Sequence, residues 1–381
     1  MCLVFEKVNT GGVPLSVFEL ATATYAAEGF NLRDDWFGRD AIRIVGRSQK
    51  FALQPLLKDI QSTEFLQGIS LLTTYEKRCA DIANGVQNIA AVSAKREHVL
   101  ALTLSEYKRW ADRLSDGFFV ADRFLRMEGF HDPGYLPYRS QMTPLAAVMA
   151  HLGERWMEPV IRDKLTRWYW SGVLGELYSG ATETRIANDL VQLLAWINEP
   201  NAKEPSAVTA AGFQSSRLDT LRSRTSAAYR GIYILIQRQG SKDFFWKAKM
   251  IEIDREECGI DLHHIFPKDW CNKNNISPSI YNSIINKTPI SYKANRMIGG
   301  SAPSKYLEEL RTHTQVKINL SEQDEILKSH LITPELLRSD NFFAFFSARK
   351  ISMINTIAGV MGKAVSDEID TTSDGDQEHE D

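Results

Sequence analysis

The chain has 381 residues, 43% hydrophobic and 24% charged, an ordinary globular composition with material for two domains. Its formal charge of −3 hides an asymmetry: residues 366–381 hold eight acidic residues and no Lys or Arg, which leaves a body of 45 basic and 40 acidic residues. That mildly basic body permits a nucleic-acid partner, while no apolar run approaches the ~20 residues of a membrane-spanning helix, which argues against a membrane partner.

The four cysteines, Cys2, Cys79, Cys258 and Cys271, form no CxxC pair, so the sequence predicts a reducing compartment and no disulfide frame. Residues 1–7 lack a basic region followed by a sustained apolar stretch, so no signal peptide is read there and a cytoplasmic location is expected. In chain order, a turn at Asn9-Thr10-Gly11-Gly12 precedes a helix opening near Ser16. Ser16 can act as N-cap, and Glu19 three residues later completes a capping box. Residues 55–200 are mainly helical in pattern. The clearest helix runs from Thr182 to Asn198: Ile186, Leu190, Leu193, Leu194 and Ile197 share one face, Thr182 can cap it, and Pro200 follows its end. Trp168, Tyr169 and Trp170 could bind a ligand, but aromatic residues at helical spacing usually fill a core, and that reading is preferred. Residues 199–215, with two prolines and several small or polar residues, read as a domain boundary.

A second helix is expected from about Ser216 to Gln239, with Leu218, Leu221, Ala228, Ile232 and Leu235 as its apolar stripe and Gly240 as its stop. This segment and the next carry Arg217, Arg222, Arg224, Arg230, Arg238, Lys242, Lys247 and Lys249. They form either a solvated basic face or a surface turned towards phosphates. Ser304 to Thr312 reads as a short helix, and Thr333 to about Met361 as one or two more. The acidic stretch from Ser366 onward reads as disordered.

The chemistry-bearing stretch runs from Gly259 to Tyr306. His263 and His264, followed by Ile265-Phe266-Pro267, suit a strand ending in a tight turn, with the two imidazoles on opposite faces. A one-metal nuclease needs a divalent ion to hold a scissile phosphate oxygen and a base to take a proton from the attacking water. Neutral imidazole suits the base because its pKa lies near operating pH. A metal ligand opposite it can come from a short helix lying across the strands, where Asn295 falls. The competing reading is a structural zinc site built from Cys258, Cys271 and His263 or His264. Its spacing matches no common finger and offers no CxxC knuckle.

The ordered series His263-His264-Ile265-Phe266-Pro267, Asn286, Asn295-Arg296 and Pro303-Ser304 resembles the HNH (ββα-metal) nuclease superfamily. The resemblance is specifically to the HNH domain at the C-terminus of GmrSD-type restriction proteins. It implies His264 as general base, His263 and Asn295 as metal ligands, and Asn286 as a brace for the loop that carries the base. It also implies Asp261 as an orienting partner for an imidazole, with Lys268, Arg296 and Lys305 as DNA contacts. An adjacent pair permits the two histidines to exchange roles. The implied cofactor is Mg²⁺ or Mn²⁺, and the implied substrate is DNA that can carry modified bases.

Two further segments, Phe5-Glu6-Lys7-Val8-Asn9-Thr10-Gly11-Gly12-Val13-Pro14-Leu15-Ser16 and Arg167-Trp168-Tyr169-Trp170 with Gly175-Glu176-Leu177-Tyr178 and Glu183-Thr184-Arg185, resemble the ParB-like N-terminal domain of the same proteins. That domain normally carries an Asp-Gly-Gln-Gln-Arg motif tied to nucleotide hydrolysis. The motif is absent from this sequence, so no NTPase activity is expected, and the chain reads as a truncated product, a misassigned start or half of a split gene.

The expected fold is mainly α with a small α+β element. Residues 1–199 would form a mostly helical part of the ParB-like domain, 200–215 a linker, 216–363 the HNH ββα-metal nuclease domain, and 364–381 a disordered acidic tail. The expected function is divalent-metal-dependent hydrolysis of DNA in restriction or anti-phage defence, by a homo-oligomer or with an upstream partner subunit. The alternative is a catalytically silent remnant that binds DNA or a partner protein.

Overall fold

A computed structural model describes residues 15–180 and 182–366. The Asn9-Thr10-Gly11-Gly12 turn and residues 367–381 of the expected acidic tail lie outside the described residues, whereas Ser366, expected in that tail, is bridged to Gln214. The chain divides into two units, Met1–Ala211 and Gly212–Asp381, and is mostly helical with one small two-stranded sheet. Among the described residues no helix is long and apolar enough to cross a membrane.

In the first unit, Ser16 opens the Val17–Ala26 helix with the expected capping box. Its Oγ accepts from the Glu19 N–H at 3.2 Å, and its own N–H donates to Glu19 Oε2 at 2.7 Å. The Met142–Leu152 helix is apolar on every side, and it is correspondingly buried from Met142 through Ala150. The Ser62–Ala83, Leu104–Met127 and Thr182–Asn198 helices pack around it. Gly117 permits the closest of these crossings, since a β-carbon there would lie 2.3 Å from the Ala146 carbonyl oxygen.

The Thr182–Asn198 helix has the expected span. Trp196, not Ile197, completes its buried face, and Lys164 and Arg167 lie over the Trp196 ring. Trp168, Tyr169 and Trp170 are core residues, as preferred from their spacing. Trp170 Nε1 donates to the buried Glu128 carboxylate at 2.7 Å, which also accepts from Thr166 Oγ1 at 3.0 Å. Within 199–215 the chain is not structureless: Ser206–Thr209 is helical, and Ala207, Val208 and Ala211 are buried.

In the second unit the helix expected from Ser216 to Gln239 is two, Arg217–Thr220 and Ala227–Arg238. The break has a local cause. The Leu221 carbonyl leaves the helix to accept from the Ile284 N–H at 2.8 Å. Ser223, Thr225 and Ser226 then offer hydroxyls that compete with helical backbone bonding, and Ser226 caps the next helix. The apolar stripe is buried throughout, and the second helix ends before Gly240 at φ +79°.

β1 (Asp261–His264) pairs antiparallel with β2 (Lys287–Ile290), in the register Asp261↔Ile290, Leu262↔Pro289, His263↔Thr288 and His264↔Lys287. The Tyr292–Ile298 helix follows β2, and helices Pro303–Thr312, Leu320–Ser329, Pro334–Arg338 and Phe342–Met361 complete the unit. The Leu320–Ser329 helix was not expected, although Asn319 and Glu322 form a capping box at its start. Phe266 anchors the core against Phe342, Phe345 and Trp270, with ring centroids 5.2, 5.0 and 4.9 Å away.

Two buried polar groups tie the sheet to the last long helix. Arg349, 1% exposed, donates to the carbonyls of Ile285, Lys287 and His330. His330 Nε2 faces the Lys242 carbonyl at 2.7 Å and must carry the proton, so Nδ1 accepts from Thr288 Oγ1 at 2.6 Å. Burial pushes His330 down from 6.5 to about 3, with the Arg349 charge acting in the same direction. The unfolded chain therefore binds a proton that the folded chain refuses, and stability is full above about pH 6.5 and falls as pH drops below it. The expected slope from this residue is ~1.4 kcal/mol per pH unit. Urea titrations near neutral pH and about one unit below 6.5 should show the wild type losing more stability than a His330→Gln variant. Equal losses in the two proteins would refute this assignment.

Candidate active site

The site is built on the strand–strand–helix unit. The buried Asp243 carboxylate fixes the corner between β2 and the Tyr292–Ile298 helix. It accepts from the Ser291 N–H at 2.6 Å and from Ser291 Oγ at 3.1 Å. Ser291 Oγ in turn caps the helix by accepting from the Ala294 N–H at 3.2 Å. The helix is thereby aimed so that Asn295 meets the histidines of β1.

His263, His264, Lys268, Asp269 and Asn295 line one cavity of about 240 Å³, closed on one side by Ile298 and Gly299. His263 and His264 are the last two residues of β1, and both line this cavity. His263 Nε2 is buried with no hydrogen-bond partner. The Asn295 carboxamide likewise makes no hydrogen bond among the described residues. Burial lowers the His263 pKa, against the pull of Asp261 and Asp243.

His264 Nε2 lies 3.0 Å from Asn282 Oδ1, an atom that can only accept, so Nε2 carries the proton and Nδ1 is the basic nitrogen. Burial pushes the His264 pKa down to about 4, with the Lys287 and Lys268 charges adding to the effect and the Asn282 bond opposing it. Both imidazoles are consequently neutral at neutral pH, the form that binds a metal or takes a proton.

Asn286 is fully buried, and its carboxamide is saturated. Nδ2 donates to the carbonyls of Phe266 and Tyr281, each at 3.0 Å, and Oδ1 accepts from the Phe266 N–H at 2.9 Å. Its backbone carbonyl accepts from the Ile265 N–H at 2.9 Å. These bonds pin the two residues that directly follow His264. Tyr306 adds a fifth tie from its hydroxyl to the Ile265 carbonyl at 3.1 Å.

The other sequence-derived candidates fall outside the cavity wall. Asp261 lies beyond it, with Oδ1 accepting from the Leu262 N–H at 2.7 Å and lying 3.7 Å from Arg224. Arg296 is exposed and stacks over Tyr292 at 5.7 Å, and Lys305 is 3.9 Å from Glu309. Of the three expected DNA contacts, only Lys268 lines the cavity. Three residues were missed: Asn282, Asp269 and Lys287. Lys287 was findable, since it follows Asn286 directly and pairs with His264 once the hairpin register is known.

The residues present fit a hard divalent ion. His263 and Asn295 offer one imidazole nitrogen and one carboxamide oxygen, both without protein partners, and Asp269 adds a carboxylate on the same wall, a mixed donor set that would leave positions for water and a phosphate. Among the described residues no three His, Cys, Asp or Glu side chains group to hold a metal, so a closed site is not what this cavity offers. The zinc alternative is corrected by Cys271. It sits in the apolar core, where burial pushes its thiol up to about 12, and it donates to the Phe266 carbonyl instead.

No protein-family model matches the chain. The chain is similar to Uncharacterized protein MJ0686 of Methanocaldococcus jannaschii, at 28% identity over 350 residues, covering 88% of this chain and 55% of that protein. The chain thus spans about half the length of this relative.

The Asn286 bonds set an expectation for stability. Asn286→Ala strands three buried backbone groups, each worth roughly 1–3 kcal/mol when left unpaired. The variant should lose at least about 3 kcal/mol in chemical denaturation, with Asn286→Asp intermediate because it keeps only the acceptor. A loss below about 1 kcal/mol would show that the brace is dispensable.

Proposed function

We propose that this protein is a divalent-metal-dependent HNH-type endonuclease that hydrolyses DNA phosphodiester bonds. The observation that supports this reading is the convergence of His263, His264 and Asn295 on one cavity, with His263 Nε2 buried and unpartnered. His263 and Asn295 would hold the ion. Bound there, Mg²⁺ or Mn²⁺ supplies Lewis-acid stabilisation of charge on the scissile phosphate and leaving oxygen. His264, neutral and with Nε2 fixed as a donor by Asn282, takes the proton of the attacking water at Nδ1. Asn286 acts through the loop after His264 and does not touch the reacting atoms. The wider role we propose, defence against modified foreign DNA, rests on the resemblance to GmrSD-type proteins.

Supercoiled plasmid incubated with Mg²⁺ or Mn²⁺ tests this reading. Wild type should nick it, and His264→Ala should lose roughly 10²–10⁴-fold in rate, the usual contribution of a general base. His263→Ala and Asn295→Ala should each weaken Mn²⁺ binding measured calorimetrically, a readout independent of cleavage. Equal nicking by wild type and His264→Ala would remove His264 from the role of base. Absence of nicking by all of them, with either metal, would reject the nuclease reading.

A further inference from the structure

We propose that Lys268, Lys287 and Arg222 form a cradle for the phosphodiester backbone of the DNA strand on which His264 acts; the assignment rests on the nuclease reading of that site.

The three cations come from separated parts of the chain: Lys268 and Lys287 act on the His264 imidazole, and Arg222 lies beside Lys287. Lys268 lines the cavity immediately after the Pro267 turn. Lys287 stands directly opposite His264 in the strand register. Its ammonium donates to the Arg222 backbone carbonyl at 2.8 Å and lies 5.6 Å from the Tyr229 ring. The Arg222 guanidinium donates to the Ser279 carbonyl at 3.3 Å, on the helical turn that leads to Asn282, the partner of His264.

None of the three pairs with a carboxylate among the described residues. Arg224 has Asp261, Lys242 has Glu325, Lys249 has Glu252 and Lys305 has Glu309. A protein surface normally scatters opposite charges, and three uncompensated cations side by side repel one another. Lys287 is half-buried, and its pKa falls to about 8, chiefly through burial and then through the Lys268 charge, with Asp261 opposing the shift and Arg222 adding to it. A polyanion laid across the three relieves the repulsion and supplies the missing counter-charge. Lys287 is held by the Arg222 carbonyl, so part of the geometry exists before the ligand arrives.

The ligand is a phosphodiester chain rather than a single phosphate, because Lys268 lines the cavity while Arg222 does not and stands instead beside Lys287 and Ser279. Binding should therefore need no metal. Fluorescence anisotropy of a labelled DNA duplex in EDTA, over a series of salt concentrations, measures it. Wild type should bind with a steep salt dependence. Lys268→Gln should lower the log–log salt slope by about 1, and the triple variant Lys268→Gln/Lys287→Gln/Arg222→Gln by about 2–3, with at least about tenfold weaker affinity at low salt. Lys203→Gln, an exposed charge in the first unit, should change neither. Because Lys287 is half-buried, the double variant Lys268→Gln/Arg222→Gln, both exposed, provides the same test should the triple variant fold poorly.

Unchanged slope and affinity in these variants overturns the cradle, as does failure of wild type to bind duplex. Displacement of the duplex by inorganic phosphate at constant ionic strength also overturns it, since that would mark a free-phosphate site. The two readings fail separately. His264→Ala should bind duplex normally while losing nicking, and a wild type that binds through the three cations yet nicks nothing leaves the cradle standing without the nuclease.

Discussion

The second unit depends on one carboxamide. A four-residue strand pair is too short to hold its own register, since an isolated two-stranded hairpin is marginal in water. Asn286 supplies what the sheet cannot. Through its side chain and backbone it binds Ile265, Phe266 and Tyr281, so the residue before β2 is stitched to the residues after β1 and to the turn preceding Asn282. Because the carboxamide is fully buried, none of these bonds competes with water. His264 is then gripped from both sides: by the pinned Ile265-Phe266 pair along the chain, and by Asn282 through its ring. An aspartate, lacking the donors, cannot do this work, and a hydrophobic residue would leave the buried backbone groups unpaired.

Electrostatics follow from the same burial. The imidazoles sit where desolvation disfavours their charged forms, and the nearby lysines push in the same direction for His264. The outcome is a pair of neutral imidazoles facing a cavity that also carries the Lys268 ammonium and the Asp269 carboxylate. Such an arrangement keeps the imidazoles in the neutral form that a metal ion or a proton can occupy, with His264 a weaker base than a solvated imidazole. It is unsuited to a structural zinc site, whose thiolate the apolar core around Cys271 would refuse.

Much of this was legible in the sequence because the signals are local. The Ser16–Glu19 box, the span of the Thr182–Asn198 helix and the strand before Pro267 each depend on residues a few positions apart. The meeting of His263, His264 and Asn295 was reachable through the ordered motif. What was not legible depends on partners distant in sequence. The break at Leu221 arises from a hydrogen bond to Ile284, more than sixty residues away, so the helical period could not reveal it. Asp261 looked like an orienting partner by its spacing from His263, but Arg224 lies beside it, and the cavity wall does not include it. Lys305 and Arg296 were chosen by nearness in sequence, whereas Arg222 and Lys287 come close to His264 through the hairpin and the strand register.

Stability and site geometry are therefore carried by overlapping groups. Arg349 holds the Ile285 and Lys287 carbonyls on either side of Asn286, and His330 holds Thr288, the partner of His263 across the strands. Both belong to the layer formed by the end of the Leu320–Ser329 helix and the long Phe342–Met361 helix, and both are buried without a carboxylate to balance them. The Arg349 Nε and Nη1 groups are held by carbonyl oxygens, two of them on either side of Asn286, while Nη2 is buried without a partner. The consequence reaches the cavity, because the last helix contacts β2, and β2 carries both the register partners of His263 and His264 and the helix that holds Asn295. The site is thus best understood as the outer face of a polar frame whose inner face is Arg349 and His330.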